Sequence, residues 1–281
     1  MEGRAPYSTF ARFSKIVVLP LVGILVAGAT TLPEQVELCS AAAATSIDLQ
    51  IEACSALIAS NATKTQALAV AHNNRGNAHI KKAEYDRAIQ DFDHSLKIKP
   101  NYAKAFNNRG VAYLKKGEHD RAIKDFAQAI KIDLKYPSPL ANRAEAYQYK
   151  GDYKRAARDY DEAFRLRPTW TVVRSGRCWT HAIIGNLQLA LADCNEALRL
   201  EPNTAATFDS RGLVRLKMKH WDAAIADYDA ALQFNPKQVG SLYGRGIAKL
   251  KKGDPSGKVD TAAAMAIDAK VAHQFTRYGV R

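Results

Sequence analysis

The chain has 281 residues, of which 41 are Lys or Arg and 28 are Asp or Glu, so its formal charge is +13. With 47% hydrophobic and 25% charged residues, its composition is that of a folded protein and excludes a wholly disordered chain. Four cysteines are too few for a small disulfide scaffold but suffice for two bridges. The basic excess is compatible with nucleic acid, anionic lipid or acidic protein and selects none of them.

The N-terminal 29 residues predict a secretory signal peptide. A polar start with three basic residues and one acidic residue precedes an uncharged apolar run, 16–29. This run is shorter than the roughly 20 residues that span a bilayer, and it ends in Ala27-Gly28-Ala29, which is typical of a signal-peptidase site. We therefore predict cleavage after Ala29 and a periplasmic or secreted protein with a charge of +11. The alternative is an uncleaved segment that anchors the chain in a membrane.

A regular repeat with a period of about 34 residues runs through most of the remaining chain. It divides the sequence into six units: 69–102, 103–136, 137–170, 171–204, 205–238 and 239–268. Position 7 of every unit is an arginine: Arg75, Arg109, Arg143, Arg177, Arg211 and Arg245. Position 23 is an aspartate, displaced by a one-residue deletion in the last unit: Asp91, Asp125, Asp159, Asp193, Asp227 and Asp260. We predict a structural ion-pair ladder; the alternative is a charged binding stripe.

Small and aromatic residues recur in the same frame. Positions 8 and 20 are almost always Gly or Ala, and position 24 is Phe, Tyr or Cys, which predicts two closely packed helices in each unit. Such a hairpin cannot bury its apolar face alone, so neighbouring hairpins must stack.

The pattern resembles the tetratricopeptide repeat (TPR) family over residues 69–268. The resemblance implies an all-α fold, a right-handed α-solenoid of stacked antiparallel helix hairpins. Segment 30–68 is interpreted as a degenerate N-terminal hairpin or cap, and 269–281 as a C-terminal capping helix and tail.

The cysteines fall into two pairs of similar spacing. Cys54 aligns with Cys194 at position 24, while Cys39 and Cys178 precede them at nearly equal distances along the chain. This places one thiol on each helix of a hairpin, so we predict the bridges Cys39–Cys54 and Cys178–Cys194 in an oxidising compartment. The alternative is four buried, reduced cysteines.

The family resemblance implies that positions 2, 5, 6, 9, 12 and 13 of each first helix face a concave groove. Asparagines at several of these positions resemble the ladder with which some members of the family hold the backbone of an extended peptide. Their alternative role is to bridge neighbouring helices. The candidate groove residues are Asn73, Asn74, Asn77, Lys81, Lys104, Asn107, Asn108, Lys115, Asn142 and Trp179. Trp179 is expected to anchor an apolar side chain or to pack on a neighbouring hairpin.

No catalytic or metal-ligating pattern accompanies these residues. The seven histidines form no close pair with metal-ligand spacing, so we expect no metal, no cofactor and no enzymatic activity. The function predicted is an exported scaffold or adaptor that binds a protein or peptide, possibly an acidic one, in its groove. The alternative is an accessory or regulatory subunit of a cell-wall enzyme complex. Nucleic acid is not expected, because the lysines alternate with acidic residues, and neither is stable membrane insertion after cleavage.

Overall fold

The computed structural model describes residues 31–40, 46–60 and 65–280; the predicted signal peptide, 1–29, lies outside them. The described residues form α-helices and contain no strand. The helices belong to one compact unit, Leu32–Arg281. In chain order they are α1 (Leu32–Cys39), α2 (Ile47–Ala59), α3 (Thr65–Lys81), α4 (Tyr85–Ile98), α5 (Ala103–Lys115), α6 (His119–Ile132), α7 (Pro137–Tyr149), α8 (Tyr153–Leu166), α9 (Thr171–Ile184), α10 (Leu187–Leu200), α11 (Ala205–Lys217), α12 (Trp221–Phe234), α13 (Val239–Lys252), α14 (Gly257–Ile267) and α15 (Val271–Arg277).

Each repeat unit is a hairpin of two helices packed through small residues. In the first unit, a Cβ placed on Gly76 of α3 would lie 2.7 Å from the ring of Phe92 on α4. Ala88 and Phe92 have no exposed surface. Because an aromatic ring fills the space left by a missing side chain, the two helices approach closely. The predicted all-α solenoid of antiparallel hairpins is confirmed.

A left-handed residue turns the chain between the two helices of most hairpins. Gly117, Gly151, Gly185 and Gly253 take positive φ there, and each stands at position 15 of its unit. In the first and fifth units the same conformation falls on Ala83 (φ 58°) and Lys219 (φ 63°) instead. Positive φ disfavours a residue with a Cβ.

The hairpins stack with their first helices side by side. From α3 to α13, each first helix contacts the first helix of the next unit, whereas the second helices α4 to α14 do not contact one another within the described chain. Consecutive units are therefore closest together on the first-helix side, and that side is the concave one. Among the described residues, no helix is both long enough and apolar enough to cross a membrane.

The last helices depart from the regular repeat. Arg245 and Asp260 pair across the sixth hairpin with a separation of 15 residues, one fewer than in the other units, as the predicted deletion requires. Helix α15 then packs against both α13 and α14 and buries Val271 and Phe275. Its position brings the C-terminal residues back to the concave side.

Candidate functional site

The concave face contains one large cavity of about 870 Å³ in the C-terminal half of the solenoid. Residues of three successive first helices line it, and they occupy the positions that the family resemblance implies for a groove. Val172 and Ala206 stand at position 2, Asp209 at position 5 and Trp179 at position 9. Tyr149 stands at position 13 and also lines the cavity.

The asparagines of the N-terminal half hydrogen-bond to one another. Asn108 Nδ2 donates to Asn73 Oδ1 of the preceding unit at 2.9 Å, and Asn142 Nδ2 donates to Asn107 Oδ1 at the same distance. Within units, Asn73 donates to Asn74 and Asn107 donates to Asn108. These bonds tie α3, α5 and α7 together, so the side chains bridge helices. Each amide nitrogen carries a second proton, which leaves part of the ladder able to bind a ligand.

The other candidate groove residues of this half are accessible. Lys81, Lys104 and Lys115 are exposed and Asn77 is partly exposed. Position 9 faces the cavity in the third and fourth units and position 13 faces it in the third, so Asn77, Lys81 and Lys115 lie on the same face of the stack. None of these four side chains has a hydrogen-bond or ion-pair partner in the described part of the chain.

A second charged ladder, absent from the sequence-based predictions, uses the lysines at position 14. Lys116 contacts Asp86 of the preceding unit at 2.6 Å, and Lys82 contacts Asp48 of the N-terminal hairpin at 2.7 Å. The remaining contacts of this ladder are Lys150–Asp120 and Lys252–Asp222. In three of the four pairs the aspartate precedes the lysine by 30 residues and stands at position 18 of its unit. A recurring Asp at position 18 was therefore the sequence signal for this ladder. This pairing compensates four positive charges beside the groove.

The asparagine ladder ends where tyrosine replaces phenylalanine at position 24. In the third unit, a Cβ placed on Gly176 at position 6 of the next unit would lie 2.6 Å from the ring of Tyr160. Tyr228 of the fifth unit stands in the same relation to Gly244. The longer tyrosine ring therefore reaches through the stack and occupies the place of a side chain at position 6, where an asparagine would otherwise stand.

Aromatic rings form one wall of the cavity. Trp179 on α9 contacts Tyr278 at 5.6 Å between ring centroids and Tyr153 at 5.6 Å, with both pairs edge to face. Tyr153 and Tyr278 also meet edge to face at 6.4 Å. Trp179 is only partly exposed, because the C-terminal Tyr278 lies against it. Sequence reasoning missed both Tyr153 and Tyr278. Tyr153 stands at position 17 of its unit, where Tyr85 and Trp221 are also aromatic, so the repeat carried a signal for it, whereas Tyr278 lies beyond the repeats.

Two carboxylates belong to the same cavity. Asp209 accepts a hydrogen bond from Ser241 Oγ at 2.5 Å, and burial raises its pKa to about 6. Glu145 lines the cavity on the α7 side. Neither carboxylate has a basic partner among the described residues. Asp209 stands at position 5, which is one of the groove positions. Its place in the repeat could therefore have identified it as a candidate groove residue.

The six predicted Arg–Asp pairs are all present, and in each one the guanidinium contacts both carboxylate oxygens. In the fourth unit, Arg177 Nε and Nη2 donate to Asp193 at 2.6 and 2.7 Å, and Asp193 is 2% exposed. The other pairs have the same geometry: Arg75–Asp91, Arg109–Asp125, Arg143–Asp159, Arg211–Asp227 and Arg245–Asp260.

Most of these arginines also join consecutive units. Arg109 contacts Asp93 of the preceding unit at 2.5 Å and Arg245 contacts Asp229 at 2.7 Å. Arg75 donates to Ser55 of α2 at 3.0 Å, so the N-terminal hairpin is connected to the repeats in the same way. The ladder therefore links helices both within and between hairpins, which is a structural arrangement.

Both disulfide bridges are present in the structure. Cys39 and Cys54 join α1 to α2 with Cα atoms 4.7 Å apart, and Cys178 and Cys194 join α9 to α10 with Cα atoms 5.5 Å apart. All four cysteines are buried. In the described residues, no group of three or more His, Cys, Asp or Glu could hold a metal ion.

The fold and the groove define an α-solenoid of the kind that presents a concave surface to other molecules. Family models for the tetratricopeptide repeat match residues 76–117, 103–136 and 137–170. Residues 76–170 are therefore tetratricopeptide repeats. No curated protein matches the sequence.

Solved structures of tetratricopeptide-repeat proteins share the fold. YrrB, described as a TPR protein with an unusual peptide-binding site, is 20% identical with a TM-score of 0.57, and the match covers 69% of this chain and 98% of YrrB. A TPR protein from Parabacteroides merdae is 15% identical with a TM-score of 0.61, covering 88% of this chain and 96% of that chain. PilF of Pseudomonas aeruginosa is 18% identical with a TM-score of 0.60, covering 77% of this chain and 97% of that chain.

Proposed function

We propose that this protein is an exported scaffold that holds an extended segment of a partner protein in its concave groove. The observation that carries the proposal is the groove itself. Within the described residues, it has polar side chains without a hydrogen-bond or ion-pair partner over the first two units, and it continues into the 870 Å³ cavity of the third to fifth units. A surface with unused hydrogen-bond donors and acceptors beside a cavity is suited to binding the backbone and a few side chains of an extended peptide.

The N-terminal half of the groove suits an acidic stretch of the partner. Lys81 and Lys115 are exposed and unpaired in the described chain, whereas their neighbours Lys82 and Lys116 are held by aspartates. Both unpaired lysines stand at position 13, so one occurs in each of the first two units. Spaced positive charges beside amides favour a peptide that carries carboxylates.

Export is supported by two independent features. The N-terminal sequence has the pattern of a signal peptide, and the cysteines are joined in bridges that persist in an oxidising compartment. If the chain is exported and processed as proposed, the protein recovered from the cell envelope begins at Thr30. Intact-mass measurement of that protein checks this, and a mass that includes residues 1–29 would support the membrane-anchored alternative.

Affinity capture with matched charge reversals tests the scaffold role. The full chain is compared with Lys81→Glu/Lys115→Glu and with the control Lys97→Glu/Lys131→Glu, which changes the same charge at exposed positions of the second helices. We expect a reproducible partner from the envelope fraction with the wild type and the control, and about tenfold less with the groove variant.

Other outcomes of this capture would contradict parts of the proposal. Equal recovery with both variants contradicts a groove that prefers acidic segments. If no protein is captured but the chain sediments with purified wall polymer, the accessory role in a cell-wall enzyme complex is favoured instead.

A further inference from the structure

The C-terminal segment of the chain occupies the concave groove. Helix α15 is anchored by Phe275, whose ring contacts Tyr243 of the sixth unit at 4.9 Å and Tyr278 at 5.9 Å between centroids. On either side of this anchor, Gln274, Arg277 and Tyr278 all line the 870 Å³ cavity. The segment therefore lies inside the surface that the proposed function assigns to a partner.

The contacts of this segment reach three units back along the solenoid. Tyr278 packs edge to face on Trp179 of the fourth unit and on Tyr153 of the third. Arg277 Nη2 lies 2.8 Å from the place that a Cβ on Gly151 would occupy. A helix that only covered the end of the stack would need contacts with the last hairpin alone. These additional contacts resemble those of a bound peptide.

The chemistry of the cavity matches what the segment brings to it. Asp209 and Glu145 line the cavity without a basic partner in the described chain, and the groove wall is built from Trp179 and Tyr153. A basic side chain fits the carboxylates, and an adjacent aromatic ring fits the wall. Arg277 and Tyr278 are such a pair. Within the described residues Arg277 forms no direct ion pair, so its charge complements Asp209 and Glu145 across the cavity that all three line.

We propose that residues 274–280 are an intramolecular ligand and bind the groove where a segment of a partner protein would bind. The partner segment then carries a basic residue next to an aromatic one. The proposal rests on the proposed function and specifies the partner for the C-terminal half of the groove. A tethered segment competes as if it were present at about millimolar concentration. Partners therefore bind only to the fraction of molecules from which the segment has been released, and the measured affinity is reduced accordingly.

The test uses the full chain and a defined probe, a fluorescent synthetic peptide with the sequence of residues 270–281. Fluorescence anisotropy compares the wild type with Tyr278→Ala and with the control His273→Ala, an exposed residue of the same helix. Because Tyr278→Ala removes two aromatic contacts that hold the segment, we expect it to bind the peptide about tenfold more tightly than the wild type and the control do.

The specificity of binding is tested with altered peptides and a groove variant. Peptides carrying Arg277→Glu or Tyr278→Ala are expected to bind at least about tenfold more weakly, and Asp209→Asn in the Tyr278→Ala background is expected to weaken the unaltered peptide. Equal affinity of all the peptides, or of all the proteins, overturns the proposal. Absence of binding to a folded Tyr278→Ala chain also overturns it.

A second measurement uses the wild type and does not depend on the Tyr278→Ala variant. Amide hydrogen exchange of 274–280 in the wild type is expected to increase when excess peptide displaces the segment, and unchanged exchange at saturating peptide contradicts the proposal. These results can be distinguished from those that test the proposed scaffold function. Equal capture of one partner by the wild type and Tyr278→Ala rejects the intramolecular ligand and leaves the scaffold role intact.

Discussion

Tyr160 and Gly176 belong to consecutive units, and the tyrosine ring fills the space that a side chain at position 176 would need. The ring atoms and hydroxyl lie 2.6 to 2.8 Å from a Cβ built on the glycine. The same relation joins Tyr228 to Gly244 in the fifth and sixth units. At these two places a tyrosine at position 24 of one unit excludes a side chain at position 6 of the next, so the asparagine ladder does not continue there.

The first prediction concerns this exclusion. Alanine favours a helix by about 1 kcal/mol over glycine, but at Gly176 its methyl group overlaps a ring that is 6% exposed. We expect Gly176→Ala to destabilise the protein by about 1–3 kcal/mol, the range for overpacked cores. Urea unfolding measures the change. In a Tyr160→Leu background the same substitution is expected to be neutral or stabilising, and an unchanged penalty there would mean that the ring is not the cause.

The second prediction is the pH dependence of Asp209→Asn. Burial raises the folded-state pKa of Asp209 to about 6, above its unfolded value, so the ionised carboxylate destabilises the folded state. The cost is absent below about pH 4, grows as pH rises and is complete above about pH 6. Asparagine can still accept the bond from Ser241, so we expect a gain of about 2 kcal/mol at pH 7.5 and none at pH 4. Thermal melts across this range measure it, and a pH-independent difference would contradict it.

The third prediction contrasts the two charged ladders. Asp193 is 2% exposed and holds Arg177, so Asp193→Ala leaves the buried guanidinium with only its longer contact to Asp161 at 3.6 Å and should cost about 3–5 kcal/mol. Asp120 pairs with Lys150 at the surface, where solvent screens the pair, so Asp120→Ala should lower the stability far less. Chemical denaturation of both variants measures the difference. Similar losses of unfolding free energy in the two variants would show that burial does not make the Arg–Asp ladder more stabilising than the Lys–Asp ladder.

The fourth prediction concerns the left-handed turns. Lys219 takes a φ of 63° at a position where four other units have glycine. We expect Lys219→Gly and Ala83→Gly each to stabilise the protein by about 1 kcal/mol, because glycine relieves the steric cost of positive φ. Gly117→Ala is the matched control and should destabilise by a similar amount. A loss of stability in Lys219→Gly would contradict this account.

The fifth prediction concerns the bridge between α9 and α10. Closing a loop of about this length restricts the unfolded chain, so Cys178→Ala/Cys194→Ala should cost about 3 kcal/mol. Before reduction, alkylation followed by mass spectrometry should find no free thiol at either position. Free thiols at both positions in protein purified from the envelope would reject the bridge.

The repeat and the fold could be predicted because the defining contacts are local. Arg177 pairs with Asp193, and Gly76 packs on Phe92, and both contacts form within a single hairpin. Each hairpin repeats the same contacts, so the sequence repeats the residues that make them. The candidate groove positions were implied by the family resemblance, applied to the same 34-residue frame.

Contacts between units and across the groove could not be predicted in this way. The pairing of Lys116 with Asp86 depends on the angle at which one hairpin stacks on the next. The asparagines were recognisable from their positions, but only the stacked helices show that Asn108 donates to Asn73.

The amino-acid sequence was sufficient to establish the repeated hairpin, the cysteine pairing and the six Arg–Asp pairs, since each depends on residues within one or two helices. The contact of Tyr278 with Trp179 joins residues in the last helical segment and the fourth unit, and no periodicity marks it. It depends on the curvature accumulated over several stacked hairpins, which brings the end of the chain back over the groove. For this physical reason the occupant of the groove became visible only in three dimensions.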